Sequence, residues 1–235
     1  MPDPELTERV RALRERGHSP KEIARALRLP PATIAPLVRA IAAQQAPDVP
    51  ALVLAGCWVN AGWARGLTVQ GHLDWPGIDV PTDLDDLGSS GLVTVLVAVE
   101  RGGSKVSVCG FLVDVYCLGV KNALGPRGLG RRKLPGFVHQ YFDAYDEPPV
   151  PAPLDLARHL VFGAVAYARE LGFEPHPDFA AAAAYLEPWT GPSAISFGLN
   201  GRPYFMSGPH DNVASILKTL EHSAGEGNFD FTVVR

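Results

Sequence analysis

Two nearly continuous runs of β-branched and other apolar residues stand out in the middle of the chain. Gly91–Glu100 and Val106–Leu118 flank the polar, glycine-containing segment Arg101–Lys105. Strands that are apolar on both faces are typical of the buried centre of a sheet, and a short polar link between them is typical of a hairpin turn. We therefore predict a hairpin over residues 91–118 with both faces covered.

A second hairpin is predicted over residues 194–206. Its two apolar segments are separated by Asn200 and Gly201, a residue pair that a type I′ turn favours because both positions need a positive φ. Pro203 favours an edge position for its strand, since proline has no backbone N–H to donate.

Helical periodicity marks most of the remaining apolar segments. It runs over Leu154–Leu171 and recurs over Pro177–Tyr185 and from Val213 to Gly225, before a final strand at Phe229–Val234. The strands and helices do not alternate in βαβ order. The predicted fold class is therefore α+β, with a mostly antiparallel sheet and covering helices.

Three short helices are predicted at the N-terminus. Apolar positions recur at helical spacing from Leu6 to Leu13, and Ser19–Glu22 forms a capping box with proline in the first turn of a second helix. A third apolar stripe runs from Ile34 to Ile41. The proline-containing polar stretch Gln45–Pro50 then marks a domain boundary.

These elements divide the chain into three parts. Residues 1–45 form the helical module, residues 46–51 a linker and residues 52–235 the α+β domain. With 235 residues, of which 46 % are apolar and 20 % charged, the chain is long enough to bury a core. It has no apolar run of membrane-spanning length, so we expect a globular protein that does not bind a membrane.

The start of the chain and its cysteines bear on the compartment. Met1–Glu5 has neither the basic start nor the apolar stretch of a secretory signal. Cys57, Cys109 and Cys117 are too few for a disulfide framework, which agrees with a reducing compartment. We expect a cytoplasmic location.

The cysteines and histidines of the sequence are not paired at metal-ligand spacings. No CxxC pair is present, and a site made from Cys57, His72 and a strand cysteine would combine three unrelated segments. We predict neither a metal site nor a cofactor.

Charge is distributed unevenly along the chain. The formal net charge is −4, but residues 6–44 carry +5 and the chain after residue 50 carries −6. If the protein binds nucleic acid, we therefore expect the N-terminal module to contact it.

Residues 6–44, and in particular Ser19–Leu27 followed by Thr33 and Ile34, resemble the helix-turn-helix segment of bacterial regulators and resolvase-like DNA-binding domains. The resemblance implies that Ile23, Ala24 and Leu27 pack inward and that the third helix enters the major groove of double-stranded DNA. The candidate nucleic-acid-binding residues are Arg14, Arg16, Lys21, Thr33 and Arg39.

The third predicted helix departs from this pattern at its outward positions. They carry Arg39 as their single long cation and neither Asn nor Gln, so few groups are placed to read base edges. Because one such reader binds weakly, we expect a homodimer. Two interpretations of the module stay open: it contacts nucleic acid, or it is a docking unit whose arginines face solvent.

Asp114 interrupts the apolar run of the second predicted strand. An ionised carboxylate there needs a cationic partner or several hydrogen-bond donors. Lys121, or an arginine from the glycine-rich segment that follows, is one candidate partner. Alternatively Asp114, Lys121 and Asn122 line a pocket as catalytic acid and base groups.

Gly119–Lys133 is glycine-rich and is the basic run of the chain after residue 50. It lacks the spacing of a phosphate-binding loop, and we predict a flexible loop whose cations bind phosphate or remain solvated. The candidate phosphate-binding residues are Arg127, Arg131, Arg132 and Lys133.

Two segments of the α+β domain, Cys57–Trp63 and Phe111–Lys121, are similar to a group of uncharacterised bacterial proteins, a similarity that implies no activity. The predicted function is that of a bacterial DNA-binding protein, a transcriptional regulator in which residues 52–235 dimerise or sense a small-molecule effector that the sequence does not identify. The alternatives are an enzyme of unknown class acting on a phosphate-bearing or nucleic-acid substrate, and a protein–protein adaptor.

Overall fold

The computed structural model of the chain describes residues 20–27, 29–30, 52–78, 91–189 and 191–233, together with Leu6, Val10 and Leu13. The chain divides into two compact units, Met1–Ala51 and Leu52–Arg235. Among the described residues, no helix has the length and apolar character that crossing a bilayer requires.

In the N-terminal unit, helix α1 spans Pro20–Leu27. Ile23 and Ala24 of this helix are buried, with 0 and 4 % of their surfaces exposed, while Arg25 and Ala26 face solvent. The apolar residues that pack with Ile23 and Ala24 are Leu6, Val10, Leu13, Leu27 and Leu29. The rest of the first predicted helix and all of the third lie outside the described residues.

Strands and helices alternate irregularly along the second unit. Its strands are β1 (Leu54–Val59), β2 (Thr68–Val69), β3 (Leu92–Glu100), β4 (Lys105–Asp114), β5 (Gly119–Gly130), β6 (Val150–Pro151), β7 (Ile195–Ser196), β8 (Tyr204–Met206) and β9 (Asp230–Thr232). Its α-helices are α2 (Leu134–Tyr141), α3 (Leu154–Glu170), α4 (Phe179–Ala183) and α5 (Val213–Ser223). Short 3-10 turns at Arg131–Lys133 and Ala184–Leu186 precede α2 and follow α4.

A five-stranded antiparallel sheet with the strand order β5-β4-β3-β1-β6 forms the centre of this unit. Two small sheets accompany it: β2 pairs antiparallel with β7, and β8 pairs parallel with β9. The mixed helix and sheet content and the antiparallel main sheet confirm the α+β fold class.

The predicted central hairpin is present, formed by β3 and β4 within residues 91–118. β3 and β4 pair without a break from Leu92 opposite Asp114 to Glu100 opposite Val106. Alternate residues of β3 enter different cores, because successive strand side chains point to opposite faces. Val97 joins the core that contains residues of α3 and α4, and Leu96 joins the core that contains residues of α2. Both faces of the hairpin are therefore covered.

The second predicted hairpin, over residues 194–206, is wrong. β7 pairs with β2 and β8 pairs with β9, so the two segments do not form a ladder with each other. The predicted tight turn is present, with positive φ at Asn200 and Gly201 and one bridge between Leu199 and Arg202. Instead, the N–H of Gly198 donates to the carbonyl of Val115 and that of Tyr204 to the carbonyl of Tyr116, both in the β4–β5 connection.

The flexible loop predicted over Gly119–Lys133 is also wrong. Residues 119–130 form the edge strand β5, paired with β4 from Gly119 opposite Asp114 to Gly130 opposite Lys105. Pro126 is compatible with this position because the edge of a sheet leaves one row of amides unpaired. The second strand of the central hairpin accordingly ends at Asp114 and not at Leu118. Cys117 lies in the turn that follows, and Cys57, Cys109 and Cys117 are all buried free thiols.

Candidate functional site

Most residues proposed to contact DNA lie outside the described part of the chain. This is so for Arg14, Arg16, Thr33 and Arg39. Lys21 lies on α1, and its side chain is outside the described residues as well. The nucleic-acid contacts of the N-terminal module therefore stay a prediction.

Asp114 is a capping residue of the β4–β5 turn. Its Oδ1 accepts the backbone N–H groups of Tyr116 at 3.0 Å and of Cys117 at 2.9 Å. The residue is buried, with 6 % of its surface exposed. Burial raises the pKa of its carboxyl group to about 6, although the turn amides and Lys121 favour the ionised form. The hydrogen-bond donors that this carboxylate needs come mainly from the backbone.

Lys121 forms its ion pair with a different carboxylate. Its Nζ lies 2.7 Å from Oδ2 of Asp211, with side chains that are only 20 and 12 % exposed. Asp211 also accepts the backbone N–H of Gly208 at 2.8 Å, which ties the turn before α5 to the edge strand. Asn122 is exposed on β5. The predicted trio of Asp114, Lys121 and Asn122 is thus divided between a turn, an ion pair and the surface.

The four predicted phosphate ligands lie together with two further cations at one end of the main sheet. Register places Gly130 opposite Lys105, and the N–H of Arg131 donates to the carbonyl of Ser104 in the β3–β4 turn at 2.8 Å. The basic run and the tip of the central hairpin therefore form one surface. We call this the β5 basic surface; its cations are Arg101, Lys105, Arg127, Arg131, Arg132 and Lys133.

Two open depressions lie on this surface and share Gly128, Leu129 and Gly130. One, of about 350 Å³, is also lined by Arg127 and Lys133. The other, of about 580 Å³, is also lined by Arg101 and Lys105. A Cβ added at Gly128 or Gly130 would meet no atom within 4 Å, so the strand backbone there is open to an approaching ligand.

The cations of this surface differ in their partners. Arg131 forms a close ion pair with Glu100. The guanidinium of Arg127 lies over the ring of Phe137, 5.5 Å from its centroid. Within the described part of the chain, Arg101, Lys105, Arg132 and Lys133 have no carboxylate at ion-pair distance. Glu100 therefore neutralises one cation of the six.

A second group of polar residues lies at the start of α3 and was not predicted from the sequence. His72, Asp155 and His159 each place a potential ligand atom within 4.8 Å of the other two. Asp155 and His159 are four residues apart on α3, so they share one face of the helix, and His159 Nε2 lies 3.8 Å from Asp155 Oδ2. The spacing of Asp155 and His159 was visible in the sequence, whereas the approach of His72 depends on tertiary structure.

Aromatic rings hold the two histidines in place. His72 stacks on Trp75, with ring centroids 4.1 Å apart and an interplanar angle of 15°. His159 lies 5.1 Å from Trp75 and 5.8 Å from Trp189. Trp75 is buried, with 4 % of its surface exposed. The cluster therefore combines two ring nitrogens and a carboxylate with an apolar wall.

Hydrogen bonds determine the tautomer of His159. The backbone N–H of Ala194 donates to His159 Nδ1 at 2.8 Å, so in the neutral ring the proton is on Nε2, the nitrogen that faces Asp155. Burial, opposed by Asp155, lowers the pKa of His159. Both effects favour the neutral imidazole.

The chain matches no protein-family model, no curated protein and no solved structure.

Proposed function

We propose that this protein binds nucleic acid and that the β5 basic surface contacts the phosphate backbone. The observation that carries the proposal is that four cations, Arg101, Lys105, Arg127 and Lys133, line two open depressions at a glycine-containing strand end. Arg131 and Arg132 follow that strand directly, in a part of the chain whose net charge is −6. In an acidic domain, positive charge predominates locally only where cations are grouped together, as they are at this end of the sheet. Such an arrangement favours a polyanionic partner.

The chemistry of the surface matches phosphate recognition better than base recognition. Lysine and arginine side chains and open backbone amides are the groups that contact phosphate oxygens. Arg127 and Phe137 together also present a stacked guanidinium and ring to a base or sugar. We therefore expect affinity with little dependence on base sequence at this surface.

The helix-turn-helix resemblance supports a more specific form of the proposal. The N-terminal module would contact double-stranded DNA through Arg14, Arg16, Lys21, Thr33 and Arg39, and the β5 basic surface would add a second contact. A transcriptional regulator, acting as a homodimer, would use the two in this way. The inward packing of Ile23 and Ala24 on α1 is compatible with this arrangement.

A salt titration of the full chain tests the proposal. Fluorescence anisotropy with a labelled DNA duplex should show that the affinity decreases with salt, since bound cations displace counterions from the phosphates. Arg132→Ala and Lys133→Ala should each lower the log–log slope by about 1. Arg169→Ala is the matched control, because Arg169 is an exposed arginine paired with Glu174 outside this surface.

The possible outcomes separate the two contacts. An affinity independent of salt overturns the proposal as a whole. Loss of binding in Arg14→Ala and Lys21→Ala, with no effect of Arg132→Ala or Lys133→Ala, limits nucleic-acid contact to the N-terminal module and overturns the role of the β5 basic surface.

A further inference from the structure

The cluster at the start of α3 has the donor atoms of a transition-metal site. Two imidazole nitrogens and one carboxylate oxygen suit Zn²⁺ and its first-row neighbours. In a tetrahedral site with ligand distances of about 2.1 Å, the donors lie roughly 3.4 Å apart. His159 Nε2 and Asp155 Oδ2 are already 3.8 Å apart, and all three donors lie within 4.8 Å. A small closure of the side chains brings them to coordination distance.

The surroundings restrict how these side chains can move. His72 is held by its stack on Trp75, and His159 lies between Trp75 and Trp189, with the N–H of Ala194 on Nδ1 while no metal is bound. His159 is 13 % exposed, whereas Asp155 is 49 % exposed. The cluster is therefore closed on the protein side by aromatic rings and accessible to an ion from the side of Asp155.

A metal ion at His159 Nε2 requires the other tautomer of this ring. The proton must move to Nδ1, which now accepts the N–H of Ala194, so metal binding breaks this hydrogen bond and the ring must move away from the Ala194 amide. Ser193 Oγ lies 3.5 Å from Nδ1 and is able to accept that proton in a hydrogen bond. Ligating histidines are commonly oriented in this way by an acceptor on the nitrogen that does not bind the metal.

We propose that His72, Asp155 and His159 bind a divalent transition-metal ion such as Zn²⁺. Three protein ligands leave one position of a tetrahedral ion open to water or to a ligand. The proposal is independent of nucleic-acid binding at the β5 basic surface, because the two groups share no residue.

The test uses the full, untagged chain after removal of metal by a chelator. Isothermal titration with ZnCl₂ should show one saturable site, and Co²⁺ should give the visible absorption of a tetrahedral complex. Loss of a residue that hydrogen-bonds to a metal ligand typically weakens metal binding by roughly 10–100-fold. His72→Gln and Asp155→Asn each remove a ligand itself and should weaken Zn²⁺ binding by more than this. Both variants retain the bond from Ala194 to His159, so the fold is expected to survive.

His176→Gln is the matched control. His176 Nδ1 lies 3.8 Å from Asp178 Oδ2, the same separation as in the proposed site. No third metal-ligating group joins that pair among the described residues. Its substitution should leave the affinity for Zn²⁺ unchanged.

Nitrogen NMR of His159 adds a readout that a structural role would not change. Zn²⁺ should move the ring proton from Nε2 to Nδ1. The proposal is overturned if Zn²⁺ shows no saturable site, if His72→Gln and Asp155→Asn bind it as the unsubstituted chain does, or if the tautomer of His159 is unaffected.

Discussion

The carboxylate of Asp114 accepts the backbone N–H of Cys117 at 2.9 Å, inside a turn where both residues are buried. The bond closes the connection between the two longest strands of the main sheet, β4 and β5. It also keeps an ionisable group away from water, and burial raises the pKa of that group from 3.8 to about 6. The turn is therefore sensitive to pH in a definable direction.

We predict that protonation of Asp114 stabilises the fold. Because its folded pKa lies above its unfolded pKa, the folded chain binds the proton more tightly, and this contribution to stability is lost as the pH rises from about 4 through about 6. When the pH is lowered from 7 to 4, the unfolding free energy of the unsubstituted chain should therefore increase relative to that of Asp114→Asn. The shift should be at most about 3 kcal/mol. Urea denaturation at several pH values measures it, and a difference that does not vary with pH contradicts the prediction.

A second prediction concerns Gly119, which begins β5 after the same turn. Its φ is +67°, and an added Cβ would lie 2.7 Å from Cβ of Ala168 and 3.0 Å from the carbonyl oxygen of Ala164 on α3. Gly119→Ala should therefore destabilise the unit by about 2–4 kcal/mol, from backbone strain and overpacking together. Thermal and urea unfolding measure the loss.

Gly128→Ala is the control for that measurement. Gly128 lies on the same strand, but a Cβ there meets no atom within 4 Å. Its substitution should change the unfolding free energy by less than about 0.5 kcal/mol. Equal effects of the two substitutions would show that the contact with α3 does not determine the cost at Gly119.

The parts of the fold that could be predicted from the sequence are those determined by local pattern. The hairpin of β3 and β4 follows from two long apolar runs around a short polar turn, and α3 follows from its periodicity. The turn at Asn200 and Gly201 is a strong local signal, and it predicts that the segments of β7 and β8 pair with each other. Their partners, β2 and β9, are strands of two or three residues whose pairing depends on distant parts of the chain.

The candidate sites divide in the same way. The cations of residues 127–133 lie close together in the sequence, so this part of the basic surface could be predicted from the sequence. Arg101 and Lys105 join them only because β4 lies between β3 and β5, so that the hairpin tip meets the end of the edge strand. His72 reaches α3 through its stack on Trp75. Both the approach of Arg101 and Lys105 to residues 127–133 and the approach of His72 to α3 depend on tertiary structure, so the spacing of residues along the chain does not predict them.

Packing in the N-terminal unit leads to a third prediction. Ile23 is completely buried on α1. Ile23→Ala removes buried methyl groups and leaves a cavity, which should cost about 2–4 kcal/mol in that unit. Hydrogen exchange of the α1 amides should accelerate, while exchange in β3 and β4 should be unchanged because those strands belong to the other unit. Ala26→Ser, at an exposed position of the same helix, is the control, and equal protection in Ile23→Ala and Ala26→Ser would contradict the prediction.

The ion pair between Glu100 and Arg131 allows the β5 basic surface to be tested by a substitution that should make DNA binding tighter. Glu100→Gln removes the acidic partner and leaves Arg131, whose side chain is 57 % exposed, available to a phosphate. DNA binding should become tighter, and its log–log slope with salt should increase by about 1, because one more cation displaces a counterion. Glu174→Gln releases Arg169, an arginine of similar exposure at 54 %, from an ion pair outside this surface and should have no such effect. If Glu100→Gln and Glu174→Gln increase the affinity equally, the gain comes from net charge alone, and the β5 basic surface is not where the phosphate backbone binds.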